Sequence, residues 1–179
     1  MSHIPPVLSR REHGANRFFA QVEEDLTAAT GPYTYHFIES KWNAVVVVPL
    51  LSDGRLVVER IYRHPYRTWL HEFPAGGIGP GEDPCAAGVR ELEEETGYRA
   101  ARCRPLGTFE PMPGLLRMRL HVVLAEDLVQ TGRQQLEAME MLEVVTMTRT
   151  EAWSEAERQP ASSFLVSGLL YLNKVLPVG

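Results

Sequence analysis

Apolar positions recur at strand spacing through the first half of the chain and at helix spacing in only three later stretches. The run "NRFFAQVEEDLTAATGPYTYHFIES", residues 16–40, reads as two or three strands, with a Gly31-Pro32 turn before the last. The run "NAVVVVPLLSDGRLVVERIYR", residues 43–63, predicts a hairpin. In it two β-branched runs flank Ser52-Asp53-Gly54, and Asp-Gly is a strong turn signal. The first dozen residues carry no period and are expected to be loose.

Helical spacing begins after Glu82. Asp83 is an N-cap candidate, Pro84 suits the first helical position, and Gly97 is a natural stop. Between them Cys85, Ala86, Val89 and Leu92 make a narrow apolar stripe. "RLHVVLAED" and "MLEVVTMT" read as further strands. "TEAWSEAER" reads as a short helix before Pro160, and "SSFLVSGLLYLNKVL" as an amphipathic helix capped by Ser162 or Ser163. Strands come in runs rather than in strict alternation with helices. That order favours an α+β fold, an α/β/α sandwich, over a doubly wound sheet.

Composition narrows the function classes. A chain of 179 residues with 44% hydrophobic and 23% charged content can bury a proper core and is by default one domain. The net charge of -5 argues against nucleic acid as a partner. Two cysteines, Cys85 and Cys103, are too few for a disulfide scaffold and suit a reducing, cytoplasmic compartment. The start "MSHIPPVLSRREHG" has no apolar segment of signal-peptide type. No apolar run reaches the roughly 18 residues of a membrane span, so no membrane partner is expected.

The chemistry concentrates in "GGIGPGEDPCAAGVRELEEETGY", Gly76–Tyr98. Spacings of three and four residues put Glu91, Glu94 and Glu95 on one helix face. Like charges there repel, and the last helical turn disfavours anions, so stability alone does not account for the cluster. A divalent cation reverses the sign: Mg²⁺ takes hard oxygen ligands from carboxylates, water and substrate phosphates. A solvated acidic face is the bland alternative, since glutamate is a good helix former. The glycines Gly76, Gly77, Gly79 and Gly81 just upstream weigh against it, because they let backbone approach a ligand closely.

These residues resemble the signature of the Nudix hydrolases. Gly76, Glu82, Arg90, Glu91, Leu92, Glu94, Glu95 and Gly97 occupy its positions, with Tyr98 at the final apolar place. Chance would produce such a match roughly once in 10⁷ chains of this length, given ordinary residue usage. The resemblance implies the Nudix fold: a central mixed sheet, a catalytic loop–helix–loop and N-terminal antiparallel strands. It implies residues 1–40 as N-terminal strands that form a homodimer and 41–179 as the catalytic domain. Glu91, Glu94 and Glu95 become metal ligands together with the carbonyl of Ala75, for Mg²⁺ or alternatively Mn²⁺. Arg90 and Glu82 would hold the loop–helix–loop in shape.

The flanks resemble one branch, the ADP-ribose and ADP-sugar pyrophosphatases. "LVVERIYRHPYRTWLHEFPAGG" and "LGTFEPMPGLLRMRLHVVLAEDL" are similar to its sequences on either side of the signature, and Pro113 stands near its marker proline. The likeness runs from Trp42 to Val145. It implies hydrolysis of ADP-ribose to AMP and ribose 5-phosphate. The alternative substrates are GDP-mannose or another nucleotide sugar. A non-catalytic ADP-ribose sensor is disfavoured because every signature glutamate is kept. In this branch the general base comes from a late acidic loop, here "QTGRQQLEAMEMLEVV". Its candidates are Glu140 and then Glu137, with Glu94 as rival. Arg63, Arg60 and Arg117 are candidate phosphate or ribose contacts, since guanidinium forks suit phosphate. Glu72 precedes "PAGG" and is a candidate ribose ligand, and Trp42 is the first choice to stack on the base. Each of these has an ordinary structural alternative. His64, His71 and His121 are read as structural.

Overall fold

The structure is a computed structural model describing residues 4–158 and 160–177. In chain order its elements are β1 (Val7–Ala15), β2 (Phe19–Ala28), β3 (Gly31–Ser40), β4 (Ala44–Pro49), β5 (Leu56–Arg63), β6 (Thr68–Glu72), β7 (Ala75–Gly77), α1 (Pro84–Thr96), β8 (Tyr98–Phe109), β9 (Leu116–Arg117), β10 (Leu120–Gln130), β11 (Leu142–Met147), α2 (Arg149–Glu157) and α3 (Ser163–Val175). They fall into two compact units. The first holds the chain up to Asn43 together with Glu110–Arg119, and the second holds Ala44–Phe109 and the chain from Leu120 onward.

In the first unit one sheet runs β1-β2-β3-β9, antiparallel except where β3 meets β9. The expectation of loose N-terminal residues is corrected from Val7 onward; residues 1–3 lie outside the described part. Every residue of β1 is exposed, so it has no apolar alternation from which to be read. The ladder to β2 makes it a strand, helped by ion pairs such as Arg11–Asp25 (2.5 Å) and Arg10–Glu24 (3.3 Å). The chain then reverses at Ala29-Thr30, two residues earlier than expected, and Gly31 opens β3 at φ +120°.

The second unit is layered. Its mixed sheet has the order β7-β4-β10-β8, with β4 and β10 parallel. β4 reads as unbroken valine because it is covered on both faces. Helix α1 lies against Val45, Val47 and Val123, and Gly88 permits the approach: a Cβ there would meet Val123 Cγ2 at 2.8 Å and Val47 Cγ2 at 3.2 Å. Helix α3 covers the other face, where Gly168 lets Phe73 and Val48 reach its backbone. This is the α/β/α sandwich expected from the sequence. A second antiparallel sheet, β11-β5-β6, completes the unit.

The hairpin expected of β4 and β5 does not form as a pair. Its turn is there, with Gly54 at φ +85° donating to the Leu51 carbonyl at 3.0 Å. Beyond the single bridge Leu50–Leu56 the strands part, β4 to β7 and β10, β5 to β6 and β11. A turn sets a chain reversal, but long-range ladder partners on both edges of β4 and of β5 decide the sheet. β8 went unread for a related reason. As an edge strand with arginines and a register shift opposite Val122/Val123 it shows no clean alternation.

Candidate active site

Helix α1 begins as its sequence dictates. Asp83 accepts from the N–H groups of Cys85 (2.8 Å) and Ala86 (3.2 Å), and the helix ends on Gly97 at φ +73°. Its buried face is Ala87, Gly88, Leu92, Glu95 and Thr96. Ala86, expected in the apolar stripe, is exposed, while Cys85 and Val89 pack at the margin of the core. The inward face therefore carries a carboxylate at its C-terminal end.

Arg90 ties the loop to the helix. Its guanidinium donates to Glu82 Oε1 and Oε2 (3.1 Å each), to the Gly77 carbonyl (2.9 Å), to Glu91 Oε1 (2.7 Å) and to Glu94 Oε2 (3.2 Å). Glu82 in turn accepts the Gly79 N–H at 2.7 Å. Arg90 lowers the Glu82 pKa through these bonds. Glu91 lies over Gly76 so closely that a Cβ at Gly76 would stand 2.0 Å from its Cδ. Burial raises the Glu91 pKa against the pull of Arg90. Glu94 is the most exposed of the three carboxylates.

Glu95 is the buried member. It is 4% exposed and accepts the Ala75 N–H at 3.0 Å. Burial, then the negative charges of Glu59 and Glu91, push its pKa well above the ordinary carboxylate range. Glu59 on β5 was not singled out from the sequence. It is 1% exposed, its Oε1 has no hydrogen-bond partner, and its carboxyl lies against that of Glu95. Burial raises its pKa to about 8, against Arg63 and with help from Glu72 and Glu140. Its sequence signal was a carboxylate between Val57 and Ile61 on one side of β5.

The remaining candidates sort by element. On β5 and β6 the facing residues Glu59, Arg63 and Glu72 share a side of the sheet. Arg63 grips Glu72 with Nη2–Oε2 at 2.5 Å and Nε at 3.2 Å from both oxygens. Both line a cavity of about 430 Å³ with Tyr66 and Phe164. Arg60 points to the opposite side, stacked on Trp69 (4.6 Å) and paired with Glu143 (3.1 Å). His71 on that side binds Glu155 at 2.8 Å. In the late loop, Glu140 accepts the Glu137 N–H at 2.6 Å, and Gln134 and Gln135 donate to the carbonyls of Glu95 (2.6 Å) and Glu94 (2.7 Å). The loop is thus anchored to the end of α1, by the Gln134 side chain, which sequence reasoning passed over, and by the Gln135 backbone N–H. In the first unit Trp42, Pro113 and Arg117 line one concavity of about 730 Å³. There Arg117 pairs with Glu39 at 2.8 Å, and Trp42 meets Phe18 edge-on at 5.9 Å.

The candidate ligand atoms around the loop–helix corner are all oxygen, and among the described residues two buried carboxylate oxygens, Glu59 Oε1 and Glu93 Oε1, have no hydrogen-bond partner. Such a set fits a hard divalent cation. Among the described residues no three acidic, histidine or cysteine side chains already converge as a cage. Glu91 is turned to Arg90, and Glu95 to Ala75.

Comparison with known proteins bears on this geometry. The family profile described as NUDIX domain matches residues 41–165. The ADP-ribose pyrophosphatase of Bacillus subtilis (strain 168) is 33% identical over 130 residues, 72% of this chain and 70% of that one. A CMP-5'-(N-acetyl-N-hydroxy-3-aminopropyl)phosphonate hydrolase of Streptomyces rubellomurinus (strain ATCC 31215) is 37% identical over 110 residues, 59% of this chain and 52% of that one. A crystal structure of an ADP compounds hydrolase superposes with a TM-score of 0.85 at 26% identity, covering 97% of this chain and 95% of that one.

Proposed function

The chain belongs to the Nudix hydrolase family, and from that premise we propose that it splits ADP-ribose into AMP and ribose 5-phosphate with Mg²⁺ as its cation. At the coarser level it is a hydrolase of nucleotide-sugar diphosphates that works with a divalent metal. The observation that carries the reading is the corner where Glu91 and Glu95, one helical turn apart, face the Ala75–Gly76 strand with carboxylate and carbonyl oxygens as its candidate ligands.

Glu91, Glu94, Glu95 and the Ala75 carbonyl hold the cation. When bound, such a cation neutralises pyrophosphate oxygens and acidifies a water ligand. The chain supplies placement and a proton acceptor, which is most of what phosphoryl chemistry asks of a protein. Arg90 and Glu82 keep the loop in register with the helix. Glu140 is the proposed base: its charge is felt at Glu59, Glu91 and Glu95, and its loop is fastened to α1. Glu137, bonded to it, is second, and Glu94 is the rival. Water attack on one phosphorus breaks the P–O–P bridge, and the proton passes to the base.

Arg63 and Glu72, lining their cavity, are proposed for the sugar end of the substrate. Trp42, Pro113 and Arg117 are proposed for the nucleoside, in a concavity large enough for one. Arg60 is weakened as a ligand by its stacking on Trp69 and its pairing with Glu143. A homodimer through the N-terminal strands is supported by the exposed side chains of Ile4, Val7, Leu8, Phe19 and Tyr33. A cytoplasmic location is proposed on cysteine usage alone.

The test is phosphatase-coupled hydrolysis of ADP-ribose, ADP-glucose, GDP-mannose, a CDP-linked sugar and NADH, with Mg²⁺ or EDTA. Metal-dependent turnover that prefers ADP-ribose supports the proposal. Preference for a cytidine or guanosine substrate would keep the chemistry and overturn the base.

A further inference from the structure

Four observations meet at Glu59. It lies on β5, among Val57, Val58 and Ile61, which are buried almost completely, yet it is a carboxylate. Its Oε1 is sealed from solvent and has no hydrogen-bond partner among the described residues. Its neighbours are mainly acidic: Glu95 against it, Glu72 opposite it in the β5–β6 ladder, and Glu140 within electrostatic reach, with the Arg63 cation opposing them. Arg63 does not satisfy it, because its bonds go to Glu72.

A buried carboxyl with one oxygen unpartnered, and with another carboxyl, that of Glu95, as its hydrogen-bond neighbour, costs a protein stability, and valine or leucine at this strand position would remove the cost. Core packing therefore does not explain the residue. A ligand does: the orphaned oxygen adjoins a carboxylate that, on the function proposed above, holds a divalent cation. We propose that Glu59 is a further carboxylate of that cation site, a donor supplied by β5 beside those of α1. The site then has a floor as well as a wall. The helix contributes Glu91, Glu94 and Glu95, and the strand contributes a side chain whose position is fixed by the β5–β6 and β5–β11 ladders rather than by a mobile loop.

Glu59 thereby helps position the cation against the α1 carboxylates, and its loss acts first on metal affinity and only through it on turnover. The inference rests on the cation reading of the site but not on the identity of the substrate. Its test contains no nucleotide.

The experiment is Mn²⁺ titration of wild type and Glu59→Gln by calorimetry, with free-Mn²⁺ electron paramagnetic resonance as a second readout. Thermal melts in EDTA establish that the variant is folded. Glutamine keeps the shape and removes the charge. The expected result is a Kd weakened about 10–100-fold, the range seen when groups supporting a metal are removed. Unchanged Mn²⁺ affinity in a folded Glu59→Gln protein overturns the inference and leaves the Glu91–Glu95 site standing. A wild type that binds no Mn²⁺ overturns both. Should Glu59→Gln not fold, Glu59→Asp is read in the same way. It keeps the charge but withdraws it by one methylene, so weakening of about tenfold or more is expected and unchanged affinity again overturns the inference.

Discussion

Glu95 meets opposing demands. It is buried in the last turn of a helix, where charge is costly, and the proposed chemistry needs it ionised. Glu95→Gln keeps the volume and loses the ligand. We expect it to fold normally and to lose more turnover than the about 10–100-fold typical of a support residue, in the coupled assay with Mg²⁺. The same tension gives a pH signature. Burial pushes the Glu59 carboxyl up from its ordinary range to about 8, so its contribution to stability is fullest at low pH and is lost as pH rises through 8. In EDTA, melting temperature should fall between pH 5 and pH 8, and the fall should be shallower in Glu59→Gln. Added Mg²⁺ should restore wild type at high pH, because a cation binds the ionised form. At this scale the sequence showed Glu91, Glu94 and Glu95 by helix spacing. It did not show Glu59, because the residue that gives Glu59 its meaning lies on another element.

Among the elements, the loop–helix corner depends on two glycines with different duties. At Gly76 a Cβ would collide with the Glu91 carboxyl, the free end of a flexible side chain. Gly76→Ala should therefore leave melting nearly unchanged while displacing Glu91. Since misplacement by about 1 Å can cost about 10²-fold, activity should fall by about that factor. At Gly88 the obstruction is core valine methyls. Alanine there gains about 1 kcal/mol of helix propensity but crowds a packed layer at a cost of about 1–3 kcal/mol. The expected net is a destabilised protein in urea denaturation, with kcat per folded molecule largely kept. The caps of α1 were legible because capping is local. β8 and the partners of β4 and β5 were not, because edge strands and sheet order depend on residues far away in the chain.

For the whole molecule the question is what the N-terminal unit does. β1 presents an exposed strand edge, and large apolar side chains stand in solvent on this sheet. If the proposed homodimer is right, sedimentation velocity should give twice the 20.1 kDa chain mass. Replacing Val7 and Leu8 with lysine should return it toward the single mass. A monomeric wild type at micromolar concentration would sink that proposal without touching the chemistry of the second unit.

The sequence by itself determined the acidic face of α1, its caps, the glycine-rich approach and the two families of apolar strands. All of these follow from spacing of a few residues along one chain. The class of chemistry came from the resemblance of the whole Gly76–Tyr98 pattern to the Nudix signature, because carboxylate spacing by itself also fits a solvated helix face. Only the tertiary structure decided which strands pair, that β1 is a strand at all, and that Glu59 and Glu72 lie beside each other across β5 and β6. Only it separated Arg63, facing the carboxylates, from Arg60, facing away. Those outcomes turn on sheet register and burial, which bring distant residues together and set how a charge is solvated.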